Sequence, residues 1–372
     1  MPWGTSTVSE LRTAFAHAVR TAGRPVAQAA KDFNISRKTA HKWLARFDAQ
    51  QSLADASRRP HNSPTRTPEA LEAAVLAVRD QFGWGPRKIH AYLTNNGQPT
   101  PPARTVAAIL RRHNRITQEP APEVTDQRFE RSQPNQLWQV DFKGYVEVAR
   151  RKVYPLTVLD DHSRFLLALR CGEDVTMARA WNALWDVFGE HGLPEAILCD
   201  NAFGSCGPGV SWFEARLMRL GVRATHGRPH HPQTQGKVER LHGTLEAEVF
   251  PRLDRTNRAA FESGLEHWRC AVYNAVRPHE SLGDVAPVCR WRKSARARPA
   301  RLPEVEYPSG ATVRRASSGG VIRWRGAKLL AGNGVVGQWV RIEQTDSAAE
   351  LWYGPYRIRQ IPLDQLRNPG LL

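Results

Sequence analysis

The chain of 372 residues is long enough for two to four domains, and its 41% hydrophobic content can fill a core. A formal net charge of +17 points to a polyanionic partner, most often nucleic acid. No apolar run approaches the roughly 18 residues of a membrane span. Five cysteines without a CxxC pair or zinc-finger spacing argue against a disulfide scaffold or zinc module, and fit a reducing cytoplasm.

The charge is unevenly placed. Residues 1–125 hold 18 Lys+Arg against 9 Asp+Glu, and residues 290–372 hold 15 against 6, each net +9. Residues 126–289 hold 20 against 21. Two basic flanks therefore bracket a neutral centre, which suits a protein that grips DNA with its ends.

In chain order, residues 7–22 show helical spacing through Leu11, Phe15 and Val19. "VAQAAKDFNISRKTAHKWLARF" then gives a short helix, a turn at Asn34-Ile35 and a helix capped by Ser36. The second of these buries Ala40, Trp43, Leu44 and Phe47, and shows Arg37, Lys38, Thr39, His41 and Lys42 outward. This is a helix-turn-helix pattern over 1–54, with those five residues as candidate DNA contacts. "DASRRPHNSPTRTP" (55–68) reads as a basic linker. Residues 69–115 predict three more helices, taken as a second, winged-like helix-turn-helix with Arg104 and Thr105 at the start of its last helix.

The centre changes character. Residues 136–148, 152–163 and 164–172 read as three strands without an intervening helix, hence an antiparallel meander. Helix 175–192, strand 195–200, helix 211–221, strand 222–227 and further helices follow, which predicts parallel strands. The expected result is a mixed five-stranded sheet with helices on both sides, a ribonuclease-H-like α/β core over 126–290. Residues 300–372 give short alternating runs expected to form a small β-barrel, made basic by Arg323, Arg325, Lys328, Arg357 and Arg359.

Three acids arrive on these elements. Asp141 lies in the first central strand, Asp200 ends the fourth, and Glu239 lies on the helix after the fifth. Strands one and four are neighbours in such a sheet, so their acids can converge. Gathered carboxylates repel one another unless a cation sits among them. Mg²⁺ suits such a set, and two ions can assist both oxygens of a phosphodiester exchange. Lys237 and Arg240 flank Glu239 and are candidate phosphate contacts, as is the loop residue His231. Asp160 and Asp161 read as a structural pair capping a turn with Ser163, and Cys199 as packing beneath the site.

"WQVDF", "CDN" and "HHPQTQGKVER", with "VLDDHSRF" and "YNAVRPHESLGDVAP", resemble signatures of the DDE transposases of the retroviral-integrase superfamily, the bacterial insertion-sequence members above all. The resemblance covers essentially the whole chain. It implies a transposase that binds the ends of a mobile element and performs strand cleavage and strand transfer. Asp141, Asp200 and Glu239 would be its catalytic metal ligands, with Mg²⁺ or Mn²⁺, and two ions expected. Implied partners are double-stranded DNA, both element ends and target, and further copies of the chain. No membrane and no small-molecule cofactor are expected, and the setting is the bacterial cytoplasm, on the nucleoid when bound. A catalytically silent DNA-binding regulator is the alternative. Two departures from the pattern stand out. Ala202 replaces the usual Gly in Asp200-Asn201-Ala202, and the interval from Asp200 to Glu239 is longer than in short members. Neither removes a ligand.

Overall fold

The computed structural model describes residues 7–55, 67–116, 130–200, 208–226 and 236–367. They fall into two compact units, one within 1–66 and one within 67–372. Among the described residues no helix is long and apolar enough to cross a membrane.

The first unit is three helices, α1 (Val8–Arg20), α2 (Val26–Asp32) and α3 (Arg37–Asp48). Thr7 and Glu10 form a capping box that starts α1. Asn34, at φ 52°, turns the chain between α2 and α3. Ser36 Oγ accepts from Thr39 N at 3.1 Å and so caps α3. Phe15, Ala16 and Val19 of α1 fill the space against Ala29, Ala30, Ala40, Trp43 and Leu44. Leu11, expected inside, is exposed, because positions 15, 16 and 19 already make the inward face.

The second unit opens with α4 (Glu69–Phe82), α5 (Pro86–Asn95) and α6 (Ala103–Arg112) around Val75, Ile89, Val106, Ile109 and Leu110. No strand occurs among the described residues of 67–116. Asn114, at φ 53°, ends α6, and the Arg115 amide folds back to Leu110 O at 2.8 Å. Residues 117–129 lie outside the described set.

The sheet follows: β1 (Trp138–Phe142), β2 (Val146–Val148), β3 (Arg151–Val153), β4 (Leu156–Asp160), β5 (Leu166–Arg170), helix α7 (Met177–His191), β6 (Ala196–Cys199), helix α8 (Trp212–Arg219), β7 (Arg223–His226), helices α9 (Gly236–Thr244) and α10 (Arg258–His267). Strand order is β5-β4-β1-β6-β7. β1 and β5 flank β4 antiparallel, while β1, β6 and β7 run parallel, as the pattern required. The run 136–148, expected as one strand, splits in two. Ala149 and Arg150 both take positive φ (50° and 61°), a tight turn that folds β2 onto β3 as a separate hairpin.

Alternation along β1 sends Trp138 and Val140 into a core shared with α7 and α8. The opposite face packs α9, α10 and the β2–β3 hairpin around Leu159, Leu166, Leu241 and Phe261. Helix α9 continues through a π-helical turn (Leu245–Val249) and a 3₁₀ turn (Phe250–Arg252). After α10, Trp268–Asn274 is also π-helical.

The C-terminal strands are β8 (Val313–Arg315), β9 (Val321–Trp324), β10 (Ala327–Leu330), β11 (Trp339–Gln344), β12 (Ala348–Tyr353) and β13 (Tyr356–Pro362). The expected barrel does not close among the described residues. β13-β12-β11-β8 form an open sheet, and β9 pairs only with β10. The two-residue turn Arg325-Gly326 (φ 47° and 84°) makes that pair self-contained. Backbone bonds from Val210 N to Ala331 O (3.1 Å) and Gly334 N to Val210 O (2.9 Å) tie this region to the segment before α8.

Candidate active site

Two acids reach the same end of the sheet by register. β1 and β6 are parallel, with Val140 opposite Cys199. The next residues on the two strands are Asp141 and Asp200. Asp141 is half-buried and Asp200 exposed. Cys199 is buried beneath, and burial pushes its thiol pKa up.

The third acid is placed by α9, which runs alongside β1 in the same direction. Three polar rungs fix that alignment. At the first, Lys237 contacts the Asp161 carboxylate, which also accepts from Gln139 Nε2 at 2.8 Å and from Arg131 N at 2.8 Å. At the second, His242 Nε2 lies 3.0 Å from Thr157 Oγ1, and Thr157 Oγ1 donates to Asp141 O at 3.1 Å. At the third, Lys143 Nζ lies 2.7 Å from Glu246. Two strand residues advance about 6.6 Å and four or five helical residues about 6–7.5 Å. That match keeps helix and strand in step from rung to rung. Glu239, exposed, sits between the first and second rungs.

Electrostatics mark Asp141 as the focus. Burial raises its carboxyl to about 6; the Phe142 amide lowers it, Asp200 and Glu239 raise it further, and Lys143 lowers it. His242 is depressed to about 4, by burial first and then by Lys143, against an opposing pull from Glu246, so the ring is neutral at pH 7. The hydrogen-bond network assigns its tautomer. Thr157 has one hydroxyl proton and gives it to Asp141 O, so it accepts from His242 Nε2–H. The Nδ1 lone pair then faces Asp141 Oδ2 across 3.9 Å. Two acceptors facing each other across such a gap suit a cation between them. The oxygen-rich acids suit a hard divalent ion. Among the described residues no three His, Cys, Asp or Glu side chains are grouped so as to hold a metal ion.

Lys143 and His242 were missed from sequence, where Glu246 reads only as a rival of Glu239. Their signals were present: Lys143 is two residues beyond Asp141 on a strand, and His242 three beyond Glu239 on a helix. Asp160 is structural, as expected, accepting from Ser163 N at 2.8 Å, Ser163 Oγ at 2.6 Å and Asn135 N at 2.8 Å.

The candidate DNA contacts divide. In the first unit Arg37, Lys38, His41 and Lys42 are exposed, while the Thr39 hydroxyl lies 2.8 Å from the Ser36 hydroxyl. In the second, Arg104 and Arg240 are exposed and Thr105 is half-buried. His231 lies outside the described residues. Lys237 departs from expectation, because its ammonium is engaged by Asp161. Arg357 pairs with Glu350 at 2.7 Å and Arg359 donates to Leu330 O at 2.8 Å, so both are occupied. Arg314, Arg323, Arg325 and Lys328 instead line a cavity of about 320 Å³ beside Trp324.

Comparison with known proteins gives family matches over the central and N-terminal regions. Two models of the integrase core domain match residues 131–232 and 220–287. A homeodomain-like domain model matches residues 39–110. The 39.2 kDa protein of insertion element IS476 from Xanthomonas euvesicatoria is 26% identical over 282 residues, covering 71% of this chain and 78% of that protein. The 31 kDa protein of insertion element IS600 from Shigella sonnei is 22% identical, over 68% of this chain and 94% of that one. The Gag-Pro-Pol polyprotein of simian retrovirus SRV-1 is 35% identical over 119 residues, 31% of this chain; the match spans 6% of the polyprotein's length. A chain of the simian T-cell lymphotropic virus intasome overlaps loosely, with TM-score 0.37 and 17% identity, over 77% of this chain and 99% of that one. The HTLV-2 integrase catalytic core with magnesium gives TM-score 0.31 and 19% identity, over 43% and 97%.

Proposed function

Because this chain belongs to the insertion-sequence transposases of the DDE, integrase-core superfamily, we propose that it cuts the ends of its own mobile element and joins them to target DNA. The observation that carries the proposal is the alignment of α9 on β1, beside the parallel β1–β6 register. The charge interactions of Asp200 and Glu239 with the Asp141 carboxyl support reading these three as the catalytic set.

In this proposal the three acids hold Mg²⁺ or Mn²⁺, two ions when DNA is bound. When bound, the metal would supply activation of the attacking oxygen and stabilisation of the leaving one. The chain's own residues do the rest. Neutral His242 orients Asp141 through Thr157 and offers Nδ1 toward the same gap. Lys143, steadied by Glu246, holds positive charge beside the acids, and exposed Arg240 meets a phosphate. Lys237 serves by holding the start of α9 on Asp161.

The flanks supply DNA. Residues 1–54 read element ends through Arg37, Lys38, Thr39, His41 and Lys42. Residues 69–115 add Arg104 and Thr105, 126–290 carry the chemistry, and 300–372 grip DNA without sequence preference. His231 belongs with the phosphate contacts. Joining two ends calls for an oligomer on DNA, and the work is done in the cytoplasm on the nucleoid.

The test uses labelled duplex containing the sequences that flank this protein's gene, with Mg²⁺ or Mn²⁺, beside Asp141→Asn. Metal-dependent nicking at one discrete position, lost in the variant, is the expected result. Tight binding without nicking in either metal overturns the enzymatic function in favour of a DNA-binding regulator.

A further inference from the structure

The helical run that carries Glu239 extends to Arg252, and its far end is bolted to the second helical triplet. Glu248, in the π-helical turn, lies 3.2 Å from Lys88 of α5 and 2.9 Å from the nearly buried Arg277. Arg252 donates to Gln81 O at 3.0 Å. It passes Gly83, whose φ of 73° and missing Cβ leave space for the guanidinium. Arg87 of α5 reaches Glu280 at 2.6 Å and Asp284 at 3.1 Å. Val272 and Val276 join the triplet's own hydrophobic core.

None of these groups touches the three acids. Glu248 is nine residues past Glu239, roughly 13 Å along a helix rising 1.5 Å per residue. We propose that Lys88 and Arg252 are positioning residues. They make α4–α6 and the Glu239 helix one rigid piece, so DNA held on the Arg104 face of α6 is registered against the acids without an intervening hinge. The choice of which phosphodiester is cut is thus built into this joint. The inference rests on the proposed DNA-cutting function and adds the device that sets the cut position.

The joint can be loosened without unfolding it. Removing Lys88 leaves Glu248 and Arg277 as a one-to-one ion pair, which spares the remaining charges from burial without a partner. Lys88→Met, Arg252→Ala and the double variant are made in the full chain, with Lys88→Arg as the charge-conserving control. On the labelled duplex, with Mg²⁺ or Mn²⁺, every 3′ end is mapped to the nucleotide. The readout is the ratio of nicking at the discrete end position to nicking elsewhere, alongside duplex affinity and the thermal melt. The double variant is expected to lose about tenfold in that ratio, since ångström-scale misplacement has effects of at least that size. Affinity stays within about twofold, because no phosphate contact is removed. Lys88→Arg retains the wild-type ratio. A folded double variant that cuts with the wild-type ratio overturns the inference while leaving the enzyme intact. If the double variant melts early, the same comparison on Lys88→Met decides. A wild-type chain that cuts nowhere overturns both the proposed function and this inference.

Discussion

Lys237 and Asp161 meet across the junction of α9 with the turn after β4. The Asp161 carboxylate is fully buried, and the lysine ammonium is engaged by both its carboxylate and its backbone oxygen. Lys237, a candidate phosphate contact from its place beside Glu239, here ties the start of that helix, two residues before Glu239, to Asp161.

Lys237→Met should destabilise the fold by about 3 kcal/mol, because it strands a buried carboxylate. Asp161→Asn in the same chain should restore part of that. Urea unfolding of the two single variants and the double checks the coupling. The salt dependence of DNA affinity should stay at the wild-type slope. A slope lowered by about one unit would instead make Lys237 a phosphate contact.

Asp141→Asn should lower end cleavage by about 10³-fold or more, the scale of a lost metal ligand. Without metal it should also stabilise. The Asp141 carboxyl is raised to about 6 by burial, with its acid neighbours adding to the rise. A raised carboxyl costs stability as pH climbs from the ordinary carboxylate range through that value. In chelator at pH 8 the variant should therefore be more stable by on the order of 2 kcal/mol, and near pH 3.5 the two proteins should converge. Thermal melts across that range decide it.

His242→Ala should reduce cleavage roughly 10–100-fold, the usual effect of losing a group that orients a metal ligand. Mn²⁺ affinity, read by calorimetry, should fall with it. Unchanged affinity together with unchanged cleavage would reduce His242 to packing.

His279 gives the clearest acid lability away from the site. Its ring stacks edge-on to Tyr273 at 4.9 Å, its Nε2 is buried, and burial followed by Arg277, Lys88 and Arg164 depresses its pKa to about 3. A depressed histidine contributes stability above its unfolded value near 6.5 and loses it as pH falls toward 3. His279→Gln should flatten the stability–pH curve between those limits, as measured by urea midpoints at several pH values.

Arg323, Arg325 and Lys328 are exposed on the β9–β10 hairpin. Replacing all three by Ala should reduce the slope of log affinity against log salt by about 2–3 units. The position of the nick should not move, because none of these residues takes part in the contacts that join α4–α6 to the Glu239 helix. Band-shift titrations at several salt concentrations test the first half, and 3′-end mapping the second.

Much of this molecule is legible in one dimension. Helical periodicity set out α3 and α6, with Trp43, Leu44, Val106, Ile109 and Leu110 inside. Three strands before any helix, then alternation, determined the meander and the parallel pair, because chain order and connection length leave few topologies. Asp141 and Asp200 could be placed together from that topology alone. Tertiary structure decided what each charge does. Lys237, Arg357 and Arg359 look like free cations in sequence, and so do Arg296 and Arg298. Yet Arg296 donates to Pro194 O at 2.6 Å and Arg298 to Trp185 O at 3.0 Å. A side chain's partner is a matter of distance in space, and residues 237 and 161, or 88 and 248, carry no local pattern that links them. Local spacing therefore determined most of the elements, and their order brought Asp141 and Asp200 to neighbouring strand ends. Packing alone decided which cations stay exposed, which way His242 faces, and that the second helical triplet is rigidly joined to the helix of Glu239.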